Sequence, residues 1–194
     1  EIENMRPLAE IKGLPAITRE ILAREFTTGS GPVSSHSMFH LIRYSLSRMS
    51  TDDLRQIYDV SEGLENRIHK LAPVCNSRDE LITSIKTRRY SYTRISRILL
   101  YILLNFTKDV AAIFDTNGPQ YLRLLGFSPQ GQKILHDMKA ISAVPVVTKT
   151  GNLRHYKTPL ISQMMAYDFL ATDLHALIQP YPGRGGLDFL RSPV

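Results

Sequence analysis

Residues 92–106 place the strongest constraint on the fold. Ile95, Ile98, Leu99, Ile102 and Phe106 stand at i, i+3, i+4, i+7 and i+11. At 100° per residue they share one face of an α-helix. Such a face must be buried, so the spacing predicts a central helix from Tyr92 to Phe106 with other elements packed around it.

Shorter helical patterns surround this one. Pro15 suits a first helical position, and Ile17, Ile21, Leu22 and Phe26 then keep a helical period until Gly29, with a loop at Gly29-Ser30-Gly31-Pro32. A second helix is expected over about Ser35 to Met49, with Phe39, Ile42 and Leu46 on one face. Ser50 or Thr51 can cap a short helix carrying Leu54, Ile57 and Tyr58, with Asp52 and Asp53 at its positive end. Further helices are expected from about Glu62 to Leu71, closed by Pro73, and from about Arg78 to Lys86.

The last third changes character. Asn117-Gly118-Pro119 reads as a turn, and residues 120–126 as either a short strand or another helix. Ser128 with Pro129 opens a helix containing Ile134, Leu135 and Met138. The β-branched run at 143–148 reads as a strand, with Pro145 placing it at an edge. If both strands form, residues 120–148 make a strand–helix–strand unit with a parallel pair. A long helix from about Thr158 to Ile178 and an irregular tail with Pro180, Pro182 and three glycines complete the chain. The expected class is mainly α with a small two-stranded parallel β element at about 120–126 and 143–148. The expected organisation is a single helical domain over 1–194: a lead-in helix and loop at 1–33, a helical core at 34–116, and a mixed segment, long helix and tail at 117–194.

Composition narrows the function classes. Apolar residues make up 43% and charged residues 22% of the 194, which excludes a disordered chain. The longest apolar run, Ile98 to Leu104, is far short of the roughly 20 residues a membrane span needs, so no membrane partner is expected. A lone Cys75 and no charged-then-apolar leader suggest a cytoplasmic protein. The chain opens at Glu1 without an initiator Met, which raises the expectation that it is a piece of something longer.

The net charge is +6, and five of those positive charges sit in residues 86–97, where Lys86, Arg88, Arg89, Arg94 and Arg97 occur without an acid. Local basicity points to an anionic partner better than a diffuse one does. Tyr90, Arg94, Arg97 and Tyr101 stand at i, i+4, i+7 and i+11, so a continuous helix would align them in a second stripe, roughly 130° from the apolar one. Arg meets phosphates and aromatic rings stack on unpaired bases, which suits nucleic acid. Equally, Tyr90 and Tyr101 can pack at the core edge while the arginines pair with acids.

Catalytic chemistry is hard to assemble from the residues. His36 and His40, at i, i+4, have a zinc-gripping spacing but lack the Glu of the H-E-x-x-H pattern and a third ligand, so no metal is expected. His69, His136, His155 and His175 are scattered, and Cys75 has no cue for an activated thiol. There is no P-loop or dinucleotide fingerprint, and Gly183-Arg184-Gly185-Gly186 is a weak anion cradle within the tail. No catalytic residue is expected.

Four stretches carry a family likeness: Phe39-His40-Leu41-Ile42-Arg43-Tyr44, Tyr58 through Ile68, Lys86 through Ile95, and Tyr121 through Phe127, with the closing Asp188 to Val194 as a fifth. Their order and spacing resemble the C-terminal half of the bacterial tRNA(Met) cytidine acetate ligases, a nucleotidyltransferase-like family. The resemblance implies an enzyme that uses ATP to activate acetate as acetyl-adenylate and then acetylates N4 of the wobble cytidine of elongator tRNA(Met). It also implies that the adenylating motifs lie in an N-terminal nucleotidyltransferase domain of the same polypeptide. On that reading the chain lacks the adenylating domain and is not catalytic by itself. It holds no cofactor, ATP and a divalent cation belonging to the longer parent, and it helps bind and position tRNA. Candidate tRNA contacts are Lys86, Arg88, Arg89, Tyr90, Tyr92, Arg94, Arg97 and Tyr101, with Arg43 and Arg123 added because the family blocks contain them. The alternatives are a helical DNA-binding regulator with a helix–turn–helix near residues 78–97, or a protein-interaction module.

Overall fold

The computed structural model describes Gly13 and residues 15–27, 35–124, 128–139, 141–147 and 158–178. The loop at Gly29-Ser30-Gly31-Pro32, the tail with Gly183-Arg184-Gly185-Gly186, and His155 lie outside the described residues. The chain divides into two compact units, the first reaching Ala111 and the second beginning at Ala112. The described residues are mostly helical, with one two-stranded parallel sheet.

In the first unit α1 (Ala16–Thr27) precedes five helices: α2 (Ser35–Arg48), α3 (Thr51–Gln56), α4 (Leu64–Leu71), α5 (Arg78–Ile85) and α6 (Tyr92–Leu103). Three starts are set by serine. Ser50 accepts from the Asp53 N–H at 3.1 Å while its own N–H donates to the Asp53 carboxylate at 2.8 Å, a reciprocal cap that holds the Asp53 carboxyl below its ordinary pKa. Ser77 accepts from the Glu80 N–H and Ser91 from the Arg94 N–H. Each such cap is worth about 1 kcal/mol. Helix α6 buries Ile95, Ile98, Leu99 and Ile102 against a core that includes Phe39, Ile42 and Leu46 of α2 and Leu81, Ile82 and Ile85 of α5. The central helix is where its spacing placed it.

Boundaries differ from expectation where the backbone turns left-handed. Helix α6 stops at Leu103 rather than Phe106, because Asn105 adopts φ 47° and the Phe106 N–H turns back to the Tyr101 carbonyl at 2.8 Å. Phe106 then packs edge-on to Tyr58 and tilted against Tyr101. Helix α4 starts at Leu64, not Glu62, because Glu62 (φ 57°) and Gly63 (φ 80°) are both left-handed. Helix α7 (Lys108–Asn117) has no counterpart in the sequence reading, although Thr107 opens it, accepting from the Ala111 N–H through its carbonyl at 3.0 Å.

The second unit contains β1 (Leu122–Arg123), α8 (Pro129–Lys139), β2 (Val146–Val147) and α9 (Pro159–Leu177). The strands pair in parallel, Leu122 with Val146 and Arg123 with Val147, so of the two readings of 120–126 the strand is the one found, confined to two residues. Ser128 caps α8 by accepting from the Gly131 N–H at 3.1 Å, and Thr158 caps α9 through the Ile161 N–H at 3.2 Å. Val147 and Ile161 are buried with Tyr121 and Met165 against them. No helix among the described residues is long and apolar enough to cross a membrane.

Three phenols are held in the neutral form. Burial pushes Tyr121 up, helped by Asp168, whose carboxylate accepts from the phenol at 3.0 Å. A hydrogen bond to Asp79 raises Tyr92, and burial raises Tyr167. A folded pKa above the free phenol's value of about 10 contributes stability that is complete below pH 10 and lost as pH rises through the folded value. Absorbance titration at 295 nm should therefore show a late-ionising class, and Tyr121→Phe should remove part of it. A single transition near the free value would refute the burial of Tyr121.

Candidate nucleic-acid interface

The basic block is laid over a second family-like stretch. After α5 ends, Thr87 and Tyr90 close a turn, the Thr87 N–H donating to the Tyr90 carbonyl at 3.1 Å and the Tyr90 N–H to the Thr87 hydroxyl at 3.2 Å. The turn faces the loop at 58–63. The Tyr90 hydroxyl donates to the Ser61 carbonyl at 2.7 Å and lies 2.8 Å from the Ser61 hydroxyl. Arg94 grips Asp59 with two nitrogens, Nε at 3.0 Å and Nη2 at 2.5 Å, and its Nη1 donates to the Arg89 carbonyl. The same guanidinium lies over the Tyr90 ring, 4.6 Å from its centroid. Arg89 is ion-paired with Glu62. Stretches far apart in the chain thus make one clamp.

The clamp holds a costly backbone. Asp59 and Glu62 have positive φ, which costs a residue other than glycine about 1–2 kcal/mol. Asp59 is about one-quarter and Arg94 about one-third exposed in their side chains, so their bidentate contact is only partly screened. The carboxylate in turn raises the Arg94 pKa above its ordinary value. Arg94→Ala should destabilise the chain by about 2 kcal/mol in urea unfolding. Asp59→Asn should cost less than Asp59→Ala, since Asn tolerates the left-handed region and keeps one hydrogen bond. Equal losses for the two Asp59 variants would mean that backbone strain contributes nothing.

The ten residues singled out from sequence therefore go to different places. Tyr90 is buried at 6% exposure and precedes the Ser91 cap, so it is not part of the α6 stripe. Tyr92 donates to Asp79 at 2.5 Å, and Tyr101 packs against Tyr58 at 5.4 Å. Arg123, in the second unit, reaches Asp168 at 2.8 Å and Thr172 at 3.3 Å. Arg43 lies on α2 over the Phe39 ring. Lys86, Arg88 and Arg97 are exposed, with no side-chain hydrogen bond or ion pair among the described residues, and Arg89 is exposed despite its pairing. These four are the cations of the block left accessible to a phosphate.

Other chemistry is sparse. His36 and His40 place their Nε2 atoms 2.9 Å apart, in contact with each other rather than splayed around an ion. Among the described residues no group of three or more His, Cys, Asp or Glu could hold a metal. Burial pushes the Cys75 thiol up, away from the nucleophilic range.

The family model described as HIGH Nucleotidyl Transferase matches residues 4–185. The tRNA(Met) cytidine acetate ligase of Syntrophomonas wolfei is 41% identical over 183 residues, 91% of this chain and 44% of that protein. The ligase of the same name from Thermoanaerobacter sp. strain X514 is 38% identical over 92% of this chain and 43% of its own length. The crystal structure of Thermotoga maritima TmcAL bound with alpha-thio ATP superposes with a TM-score of 0.83 at 31% identity, covering 93% of this chain and 46% of that one. The chain spans about half the length of the curated relatives it matches. The match corrects one expectation: the nucleotidyltransferase family's own model runs over nearly all of this chain, so the chain is not a domain from which the nucleotidyltransferase region is missing. The expectation of catalytic silence, which rested on that absence, falls with it. On the extent of that match, the chain belongs to the HIGH nucleotidyl transferase family.

Proposed function

We propose that this protein is a tRNA(Met) cytidine acetate ligase that uses ATP. The observation that carries the reading is the likeness to ligases of that name along more than nine-tenths of the chain, with the fold preserved against the Thermotoga protein. The expectation that this chain has no nucleotide cofactor is corrected on the same ground, since that solved relative is bound with alpha-thio ATP.

The chain's own residues supply cationic donors. Lys86, Arg88, Arg89 and Arg97 suit phosphate oxygens, whether of ATP or of tRNA, because they are exposed and three of them have no carboxylate partner among the described residues. ATP, when bound, supplies the leaving group that turns the acetate carboxylate into an acylating species. Arg94 and Tyr90 serve by holding the 58–63 loop and the 86–90 turn together, so that the exposed cations are presented from a fixed backbone.

The test is acetylcytidine formation. With labelled acetate, ATP and tRNA(Met) all present, label should enter cytidine, and it should not do so when ATP is omitted. Label transfer without ATP, or none with all three present, overturns the reading. Retention of labelled ATP in equilibrium dialysis checks the nucleotide separately.

A further inference from the structure

Helix α2 carries His36, His40, Arg43 and Arg48 and no acidic residue. Its buried residues Phe39, Ile42 and Leu46 fix the side that faces the core. His40, Arg43, Tyr44 and Ser47, at i, i+3, i+4 and i+7, line a groove of about 540 Å³ whose other wall is His69, Ala72 and Pro73 at the end of α4. No carboxylate lines it.

Two details distinguish this groove from an ordinary solvated helix face. Tyr44 is 62% exposed, with the Arg48 guanidinium 5.6 Å from its ring centroid and Arg48 Nη1 3.4 Å from its hydroxyl. Arg43 lies with its guanidinium 5.9 Å from the ring of buried Phe39, which braces it at the groove. Neither arginine has a carboxylate partner among the described residues. An exposed ring beside cations with no carboxylate among them suits a ligand with both a flat face and negative charge.

We propose that the groove between α2 and α4 seats an unpaired nucleotide of an RNA loop, its base stacked on Tyr44 and its phosphate held by Arg43. His40 and His69 flank it as hydrogen-bonding groups for the sugar or base edge. A paired duplex keeps its bases stacked on each other and cannot offer a face to Tyr44, so the occupant is single-stranded. An acidic peptide would meet the cations but leave the ring unused. The inference rests on the tRNA reading given above and assigns it a surface separate in sequence from residues 86–97.

The experiment uses the full chain and a fluorescent stem-loop RNA bearing the anticodon loop of tRNA(Met), titrated at several salt concentrations. Tyr44→Ala should weaken binding about fivefold or more, and Tyr44→Phe should bind almost as well as the parent, because the ring and not the hydroxyl does the stacking. Arg43→Gln should flatten the log–log salt dependence by about 0.7. A fully paired RNA of the same length and a polyglutamate peptide should compete poorly, and millimolar ATP should not displace the loop. In a measurement that needs no variant, 4-thiouridine in the loop should crosslink to the peptide containing Tyr44. If the parent chain binds the RNA but Tyr44→Ala does not weaken it, or the crosslink maps elsewhere, the groove assignment is overturned and the tRNA reading stands. Displacement by polyglutamate or by ATP as readily as by RNA also overturns it, in favour of a peptide or a free nucleotide. Absence of any RNA binding by the parent chain would remove the tRNA reading as well.

Discussion

Replacing Lys86, Arg88 and Arg97 together by alanine is expected to flatten the salt dependence of tRNA(Met) binding by about two units and to weaken binding about tenfold or more at low salt. Each phosphate contact to a single strand releases counterions worth about 0.7 in log–log slope, and three contacts are removed. The three side chains are exposed and make no side-chain hydrogen bond or ion pair among the described residues, so truncating them leaves no buried group unsatisfied. Thermal stability should therefore stay within about 0.5 kcal/mol of the parent. Filter binding across a salt series, with melting curves on the same samples, reads both quantities. Arg94→Ala supplies the contrast, because that side chain is committed to Asp59 and Tyr90 and its loss should register as stability. A triple variant with the parent's slope would mean that the charge of the block does not meet phosphate at all.

That contrast between Arg97 and Arg94 marks how far a sequence can be read. The buried side of α6 follows from spacing alone, since four residues at helical period have few other places to go. The caps at Ser50 and Ser128 are equally legible, as is the parallel pairing of residues 122–123 with 146–147 around a helix. These are local preferences or short-range connections. The pairing of Arg94 with Asp59 spans 35 positions and depends on a left-handed residue that nothing in the spacing announces. A continuous helix would align Tyr90 with Arg94, Arg97 and Tyr101. Ser91 interrupts that helix, so Tyr90 turns into the core edge. The groove beside Tyr44 was hidden for a related reason. His40 and His69 come from different helices, and the linear signal covers one wall alone, the family-like stretch from Phe39 to Tyr44 with its candidate Arg43.

Phe39→Ala should be the most destabilising of the substitutions considered, at about 3–5 kcal/mol. The ring is 1% exposed and sits with Ile42 and Leu46 in the cluster shared with Ile95, Ile98 and Leu99. Removing it takes away a large apolar transfer term and leaves a cavity that neighbours on three helices can only partly fill. Against a total stability of about 5–15 kcal/mol for a domain of this kind, the loss is a substantial fraction. Phe39→Leu keeps most of the volume and should cost under about 1.5 kcal/mol. The same ring braces Arg43 at the groove, a contact worth about 0.5–1 kcal/mol at an exposed site. Phe39→Leu therefore separates two roles: it should retain most of the fold yet lose part of the RNA affinity proposed for Arg43. Urea unfolding followed by far-ultraviolet circular dichroism measures the first effect, and stem-loop titration of the still-folded Leu variant measures the second. Amide exchange should quicken in α2 and α6 of the Ala variant, because these helices bury their apolar faces in that cluster. A loss below about 1 kcal/mol for Phe39→Ala would mean that α2 does not dock through this ring, and the groove built on its outer side would lose its footing with it.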